Sequence, residues 1–85
     1  MNLRLHDHVS VVRTDYGSVL LDERVGRYFQ LNPTGTIVAE GLGNRLSYSA
    51  IAEKLMQEYS VDEEQAMKDI AALIERLRES DLVQP

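Results

Sequence analysis

The sequence contains no cysteine, so a disulfide framework cannot stabilise the fold, and this absence fits a reducing cytoplasm. No stretch approaches the ~18 consecutive apolar residues of a membrane span. The N-terminus also lacks the apolar run of a signal peptide. We therefore expect a cytoplasmic chain without a membrane-spanning segment, whose stability comes from the packing of its side chains.

Basic residues are in the minority. The chain has 9 lysines and arginines against 14 aspartates and glutamates, which gives a formal charge of −5. Seven of the acidic side chains lie in residues 61–85. Nucleic-acid binding draws most of its affinity from neutralising phosphates, so this balance argues against nucleic acid as a partner. The length of 85 residues predicts one small domain, residues 1–85.

The stretch from Gly26 to Gly35, which reads G-R-Y-F-Q-L-N-P-T-G, combines two signals. Its first half, residues 27–31, is short, aromatic-rich and alternating, which predicts a strand. Its second half predicts a helix start, because Asn32 is a preferred N-cap and Pro33 is favoured at the first helical position. The chain is therefore expected to pass from strand to helix within two residues.

Two further strands are predicted before this one, at residues 9–14 and 18–22. Three sequential strands joined by short turns predict an antiparallel sheet whose strands lie in sequence order. The strand at 27–31 then has one neighbour and one open edge, where its backbone N–H and C=O groups lack partners. Proline at Phe29 or Gln30 is expected to remove donors from that edge.

Three helices are predicted after the sheet. They run from Pro33 to about Gly41, onward from an N-cap at Ser47, and from an N-cap at Asp62 to about Ser80. The fold class is therefore α+β, with a three-stranded antiparallel sheet followed by three helices. The apolar arc of the third helix comprises Ala66, Met67, Ile70, Leu73, Ile74 and Leu77. The chain is expected to fold back on the core after this helix, through Leu82 and Val83.

The third predicted helix has two flanks beside its apolar arc. One flank carries Asp69, Leu73, Arg76 and Ser80, and the other carries Met67, Ala71 and Arg78. The helical wheel leaves open which flank meets the open edge of the sheet.

This order of elements, with this strand-to-helix joint, resembles the PqqD-like family, the recognition elements for precursors of ribosomally made, modified peptides (RiPPs). As a stand-alone domain, the chain is similar to the recognition elements of lasso-peptide biosynthesis. The residues that carry the resemblance are the run Tyr28-Phe29-Gln30-Leu31-Asn32-Pro33-Thr34-Gly35, then Ile37, and the spaced positions Ile51, Leu55, Tyr59, Asp69, Ile70, Leu73, Leu77 and Leu82. The resemblance implies a winged-helix-like domain without a cofactor and without catalysis of its own.

The resemblance also implies what such a domain binds. Family members bind the leader segment of a precursor peptide antiparallel to the third strand, in a groove closed by the third helix. They present that leader to a leader peptidase, which is a cysteine protease, and to an ATP-dependent macrolactam cyclase. The expected leader-binding residues of this chain are Arg27, Tyr28, Phe29, Gln30, Leu31, Asp69, Ala72, Leu73 and Arg76.

Each group of these residues has an expected role. An open strand edge gains main-chain hydrogen bonds when an extended peptide adds to it. By alternation, Phe29 and Leu31 face the core while Tyr28 and Gln30 face away from it. From the third helix, Leu73 with Ala72 supplies an apolar wall, and Asp69 and Arg76 orient the leader through charged contacts. The alternatives without a binding role are core packing for the aromatic residues and a solvated helical face for the charged residues.

The sequence also suggests three other interpretations. His6-Asp7-His8 suggests a metal pair, but two histidines without further suitably spaced ligands rarely form a site, so no metal is expected. A winged-helix DNA-binding regulator shares the architecture, but the third helix opens with acidic residues 62–64. An accessory subunit that activates its enzyme without touching the precursor stays open.

Overall fold

The computed structural model describes residues 3–85 of the chain. In chain order its elements are β1 (Arg4–Leu5), β2 (Val9–Thr14), β3 (Gly17–Asp22), β4 (Arg27–Leu31), α1 (Pro33–Gly43), α2 (Tyr48–Glu58), α3 (Glu63–Glu79) and β5 (Val83–Gln84). The predicted α+β architecture is confirmed, because β2, β3 and β4 form an antiparallel sheet in that order and the three helices follow it.

Two short turns build this sheet from consecutive strands. Thr14 pairs with Gly17 across a two-residue turn, and Asp22 pairs with Arg27 across the next one. Groups on a strand alternately face its two neighbours. The Glu23 N–H donates to the His8 carbonyl at 2.8 Å, so the backbone of Glu23 faces the β2 side. By alternation the backbone groups of Gly17, Val19 and Leu21 also point toward β2, and those of Ser18, Leu20 and Asp22 point toward β4.

Gly17 holds the β2–β3 turn against the end of β4. Its φ is +145°, which favours glycine, and a Cβ at this position would clash with the carbonyl oxygen of Leu31. Immediately after Leu31, the Asn32 side-chain oxygen accepts a hydrogen bond from the Gly35 N–H at 2.8 Å. The predicted N-cap is thus confirmed, and the sheet and the first helix are joined at a tightly packed corner.

The first helix ends at Gly43, two residues after the predicted end at about Gly41 and at the second of the two glycines expected to mark that end. Gly41 is buried within α1, and a Cβ there would lie 2.5 Å from Cγ1 of Ile51 on α2. This glycine therefore permits close contact between α1 and α2 and does not end the helix. The end lies at Asn44 and Arg45, where Arg45 adopts a φ of +58° and the Leu46 N–H donates to the Gly41 carbonyl.

The other two helices begin at the predicted caps. Ser47 Oγ accepts from the Ala50 N–H at 3.1 Å, and Asp62 Oδ1 accepts from the Gln65 N–H at 2.8 Å. The Gln65 side-chain amide donates to Asp69 Oδ1 at 2.9 Å. It thereby joins the first two turns of α3.

The two ends of the described chain meet in a small second sheet. β1 pairs antiparallel with β5, Arg4 with Gln84 and Leu5 with Val83. Leu82 is fully buried, so the predicted return of the chain onto the core is confirmed. For residues 1–8 the mixed sequence left two alternatives open, a frayed end or an addition to the edge of the sheet. The structure instead pairs Arg4 and Leu5 with the C-terminal strand β5, and residues 1 and 2 lie outside the described residues. In the described range, every helix is too short or too polar to cross a membrane.

One face of the main sheet packs on the helices. Ser18, Leu20 and Asp22 of β3 are buried, while the residues between them are half-buried. The Thr36 hydroxyl of α1 donates to Ser18 Oγ at 2.7 Å, which satisfies two buried polar groups at the sheet–helix contact. Residues from every helix and from β1, β3, β4 and β5 share one apolar core.

Candidate functional site

The outer edge of β4 is open in the structure. Within residues 3–85, β4 pairs with β3 and with no other strand. The register directs the backbone groups of Phe29 and Leu31 toward β3, so those of Tyr28 and Gln30 point to the open side. The expectation that proline at either Phe29 or Gln30 removes edge donors therefore holds for Gln30 alone. Proline at Phe29 would break the β3–β4 ladder instead.

The side chains of β4 divide as alternation predicted. Tyr28 is 71% exposed and Gln30 is also exposed, while Leu31 is buried and Phe29 is half-buried against the core. The Arg27 guanidinium carbon lies 5.0 Å from the centroid of the Phe29 ring, a distance that suits a cation–π contact. The strand thus offers a polar open edge whose inward side chains are fixed by packing.

A groove of about 280 Å³ begins where β4 ends. It is lined from α3 by four of the predicted site residues, Asp69, Ala72, Leu73 and Arg76. The opposite wall comes from the start of α1, through Asn32, Thr34, Gly35 and Val38. The structure thus decides between the two flanks of α3: the flank with Asp69, Leu73 and Arg76 lines the groove. The five predicted residues of β4 lie along the adjoining strand.

The groove has an apolar floor and charged ends. Leu73 is 7% exposed and Val38 is almost fully buried, so both present apolar surface from the core. Asp69 and Arg76 are two helical turns apart, a rise of roughly 10 Å along α3. Arg76 is exposed and forms no ion pair or side-chain hydrogen bond with any described residue. Its guanidinium is therefore available to an acidic group on a bound molecule.

The α1 wall of the groove was not predicted from the sequence. The sequence predicts Thr34, Gly35 and Val38 as helical residues without a site role and Asn32 as the helix cap. The signal that points to them is the strand-to-helix joint itself, because it brings the first turn of α1 beside the end of the open strand.

The two histidines near the N-terminus lie at a different place in the fold. Their rings stack with centroids 4.8 Å apart. His6 Nε2 lies 3.6 Å from Asp81 Oδ1, and His8 Nε2 lies 3.7 Å from Asp22 Oδ1. These contacts join the terminal sheet to the end of β3. Across residues 3–85, no set of three or more His, Asp or Glu side chains is arranged to hold a metal ion.

Comparison with protein families bears on this site. Residues 17–83 match the model of the family described as Coenzyme PQQ synthesis protein D (PqqD). The chain belongs to the PqqD family. The match runs from the start of β3 to the start of β5, so it includes the open edge of β4 and both walls of the groove. The resemblance to PqqD-like recognition elements is confirmed.

Two solved structures are similar over nearly the whole chain. Lasso peptide synthetase B1 complexed with the leader peptide is 41% identical, with coverage of 100% of both chains and a TM-score of 0.84. TbiB1 in complex with the TbiA(beta) leader peptide is 26% identical, with coverage of 95% of this chain and 94% of that chain and a TM-score of 0.84. A search among curated proteins found no match.

Proposed function

We propose that this PqqD-family chain is a non-catalytic adaptor of lasso-peptide biosynthesis, which binds the leader segment of a ribosomally made precursor peptide. Both similar structures are complexes with a leader peptide, and one of them is 41% identical to the chain over its full length. The observation that carries the proposal is the open edge of β4 beside the α3 groove.

Leader binding proceeds by strand addition at β4. The outward N–H and C=O groups of Tyr28 and Gln30 each complete a hydrogen-bonded pair with a residue of the leader, which lies antiparallel to β4. These bonds are independent of the leader's side chains, so they supply affinity without selecting a sequence. The exposed positions of both residues leave that edge accessible to an incoming strand.

Selection comes from the α3 groove. An apolar leader side chain contacts Leu73 and Ala72 opposite Val38, where burial of apolar surface stabilises the complex. Arg76 takes an acidic leader group, and Asp69 sets the polarity of the other end of the groove. Charge at the rim of an interface mainly governs register and partner choice. The two charges therefore fix the direction of the leader.

The bound leader is then presented to its processing enzymes, a cysteine-protease leader peptidase and an ATP-dependent macrolactam cyclase. The chain contributes binding and orientation to this reaction sequence, not a chemical step.

The test is a calorimetric titration of the chain with the leader of its own precursor, using variants of Gln30. Gln30→Pro removes the outward N–H and is expected to abolish binding while the thermal unfolding transition persists. Gln30→Ala is the matched control, because it shortens the same side chain and keeps the N–H, and it is expected to bind like the wild type.

Two results would contradict the proposal. Unchanged binding by a folded Gln30→Pro variant would move the leader to another surface. Failure of the wild-type chain to bind leader at concentrations on the order of tens of micromolar would favour an accessory subunit that acts on its enzyme without touching the precursor.

A further inference from the structure

The main sheet has a second open edge, on β2. Among residues 3–85, β2 pairs with β3 alone. The register directs the backbone groups of Val11 and Arg13 away from β3, toward the open side. The Val9 N–H points the same way but already donates to the His6 carbonyl at 3.1 Å. Two residues of β2 therefore present unpaired backbone groups, as two residues of β4 do.

A groove of about 550 Å³ runs beside this edge, which makes it about twice as large as the α3 groove. Val9 and Val11 line it from β2, Arg4 lines it from β1, and Arg45 lines it from the end of α1. We call it the β2 groove. Like the α3 groove, it combines an open strand edge with a helical wall, and no part of the proposed leader site uses it.

The β2 groove carries an excess of positive charge. Glu40 lies in its lining, but Arg13 Nε donates to Glu40 Oε2 at 2.7 Å. That hydrogen bond and the charge of Arg13 lower the pKa of Glu40 below its ordinary range, so the carboxylate is ionised and already neutralised. Arg4 and Arg45 then face one remaining carboxylate of the lining, that of Asp7.

Neither of these two arginines has a partner in the described part of the chain. No ion pair or side-chain hydrogen bond involves Arg4 or Arg45, and the Arg4 Nε atom is buried without an acceptor. A buried guanidinium N–H without an acceptor is costly, and a carboxylate is its preferred partner. The residues of the groove therefore do not supply the anionic partner that its two arginines require.

We propose that the β2 groove is a second peptide-docking site, which takes an extended polypeptide segment carrying carboxylate side chains. The segment pairs with the outward backbone groups of Val11 and Arg13, and its carboxylates accept hydrogen bonds from Arg4 and Arg45. Because β3 separates β2 from β4, the sheet can hold this segment and the leader together, one on each edge.

The probe is a short acetylated peptide of alternating glutamate and threonine, titrated into the ¹⁵N-labelled full chain, with a lysine–threonine peptide as its control. The acidic peptide is expected to shift the amide signals of Val11 and Arg13 at lower peptide concentrations than those of Tyr28 and Gln30, because the β2 groove carries two unpaired arginines. Equal binding of the lysine peptide, shifts confined to β4, or no shift at millimolar peptide would overturn the proposal.

Arg45→Gly removes one guanidinium while keeping the fold, because the φ of +58° at this position suits glycine. It is expected to weaken binding of the acidic peptide about tenfold. Arg76→Glu, in the α3 groove, is the matched control and is expected to leave that binding unchanged. An unaffected Arg45→Gly variant would overturn the assignment. Leader titration of the same samples reports on the β4 site separately, so failure at one edge is distinguishable from failure at the other.

Discussion

The two open edges of the main sheet offer the same backbone pattern in different surroundings. At β4 the adjoining groove has an apolar floor, formed by Leu73 and Val38, and it lies between two helices. At β2 the adjoining groove is larger and carries Arg4 and Arg45 without ion-pair partners in residues 3–85. Backbone pairing is generic, so the side chains beside each edge decide which polypeptide it accepts.

The edges also differ in how they are attached to the helices. Arg13 of β2 is tied to Glu40 of α1 by an ion pair on the surface. The outward residues of β4, Tyr28 and Gln30, have no such side-chain tie within the described range. The outward side chains of β4 are therefore free to rearrange around a bound molecule, whereas that of Arg13 is already held by Glu40.

The largest effect is expected from truncating the floor of the α3 groove. Leu73→Ala should destabilise the fold by ~2–5 kcal/mol, because Leu73 is 7% exposed and its truncation leaves a cavity. It should also weaken leader binding in the fraction that remains folded. Thermal unfolding and calorimetry measure the two effects.

Ile74→Ala is the matched control for this prediction. Ile74 is also 7% exposed, but it lines a groove beside the terminal strands on the other side of α3. It should cost similar stability and leave leader affinity unchanged. Equal losses of affinity in the two variants would show that Leu73→Ala weakens leader binding only because it destabilises the fold.

A smaller effect, confined to binding, is expected from Arg76→Glu. Because Arg76 is exposed and unpaired within residues 3–85, the reversal should leave the thermal midpoint nearly unchanged and weaken leader binding about tenfold. Arg78→Glu is the control, since Arg78 is exposed on the same helix but pairs with Glu75 outside the groove. If Arg76→Glu unfolds the chain, Arg76 is structural.

The smallest effect is expected from removing the ion pair between Arg13 of β2 and Glu40 of α1. The pKa of Glu40 is lowered in the folded chain, so the ion pair stabilises the fold at pH values above the pKa of an unfolded glutamate. This stabilisation is lost as the pH falls through the folded-state pKa and the Glu40 carboxylate is protonated. Glu40→Gln should therefore lower the thermal midpoint slightly at neutral pH and not in strong acid. Leader binding at β4 should not change, and a change would mean that the two edges are coupled.

Local signals made much of the β4 region predictable from the sequence. Asn32 and Asp62 cap α1 and α3 as predicted, because a capping side chain and its N–H partner lie within three residues of each other. The strand at 27–31 was predicted with the bounds that β4 has. Its open edge followed from strand order, which short turns nearly dictate.

Contacts between segments that are distant in the chain could not be predicted from the sequence. The flank of α3 that lines the groove depends on the packing of α1 against α3, and the roles of Thr34 and Val38 as groove walls follow from that packing. The terminal sheet joins residues at opposite ends of the chain through two short strands, which carry almost no local signal. The continuation of α1 past Gly41 depends on the approach of Ile51.

The most direct test is amide hydrogen exchange of the outward residues of both edges, with and without leader peptide. If the leader adds as a strand to β4, the amides of Tyr28 and Gln30 exchange freely in the free chain and slow markedly when leader is bound, while those of Val11 and Arg13 do not change. Equal exchange rates of Tyr28 and Gln30 in the free and the leader-saturated chain would show that the leader does not add to β4.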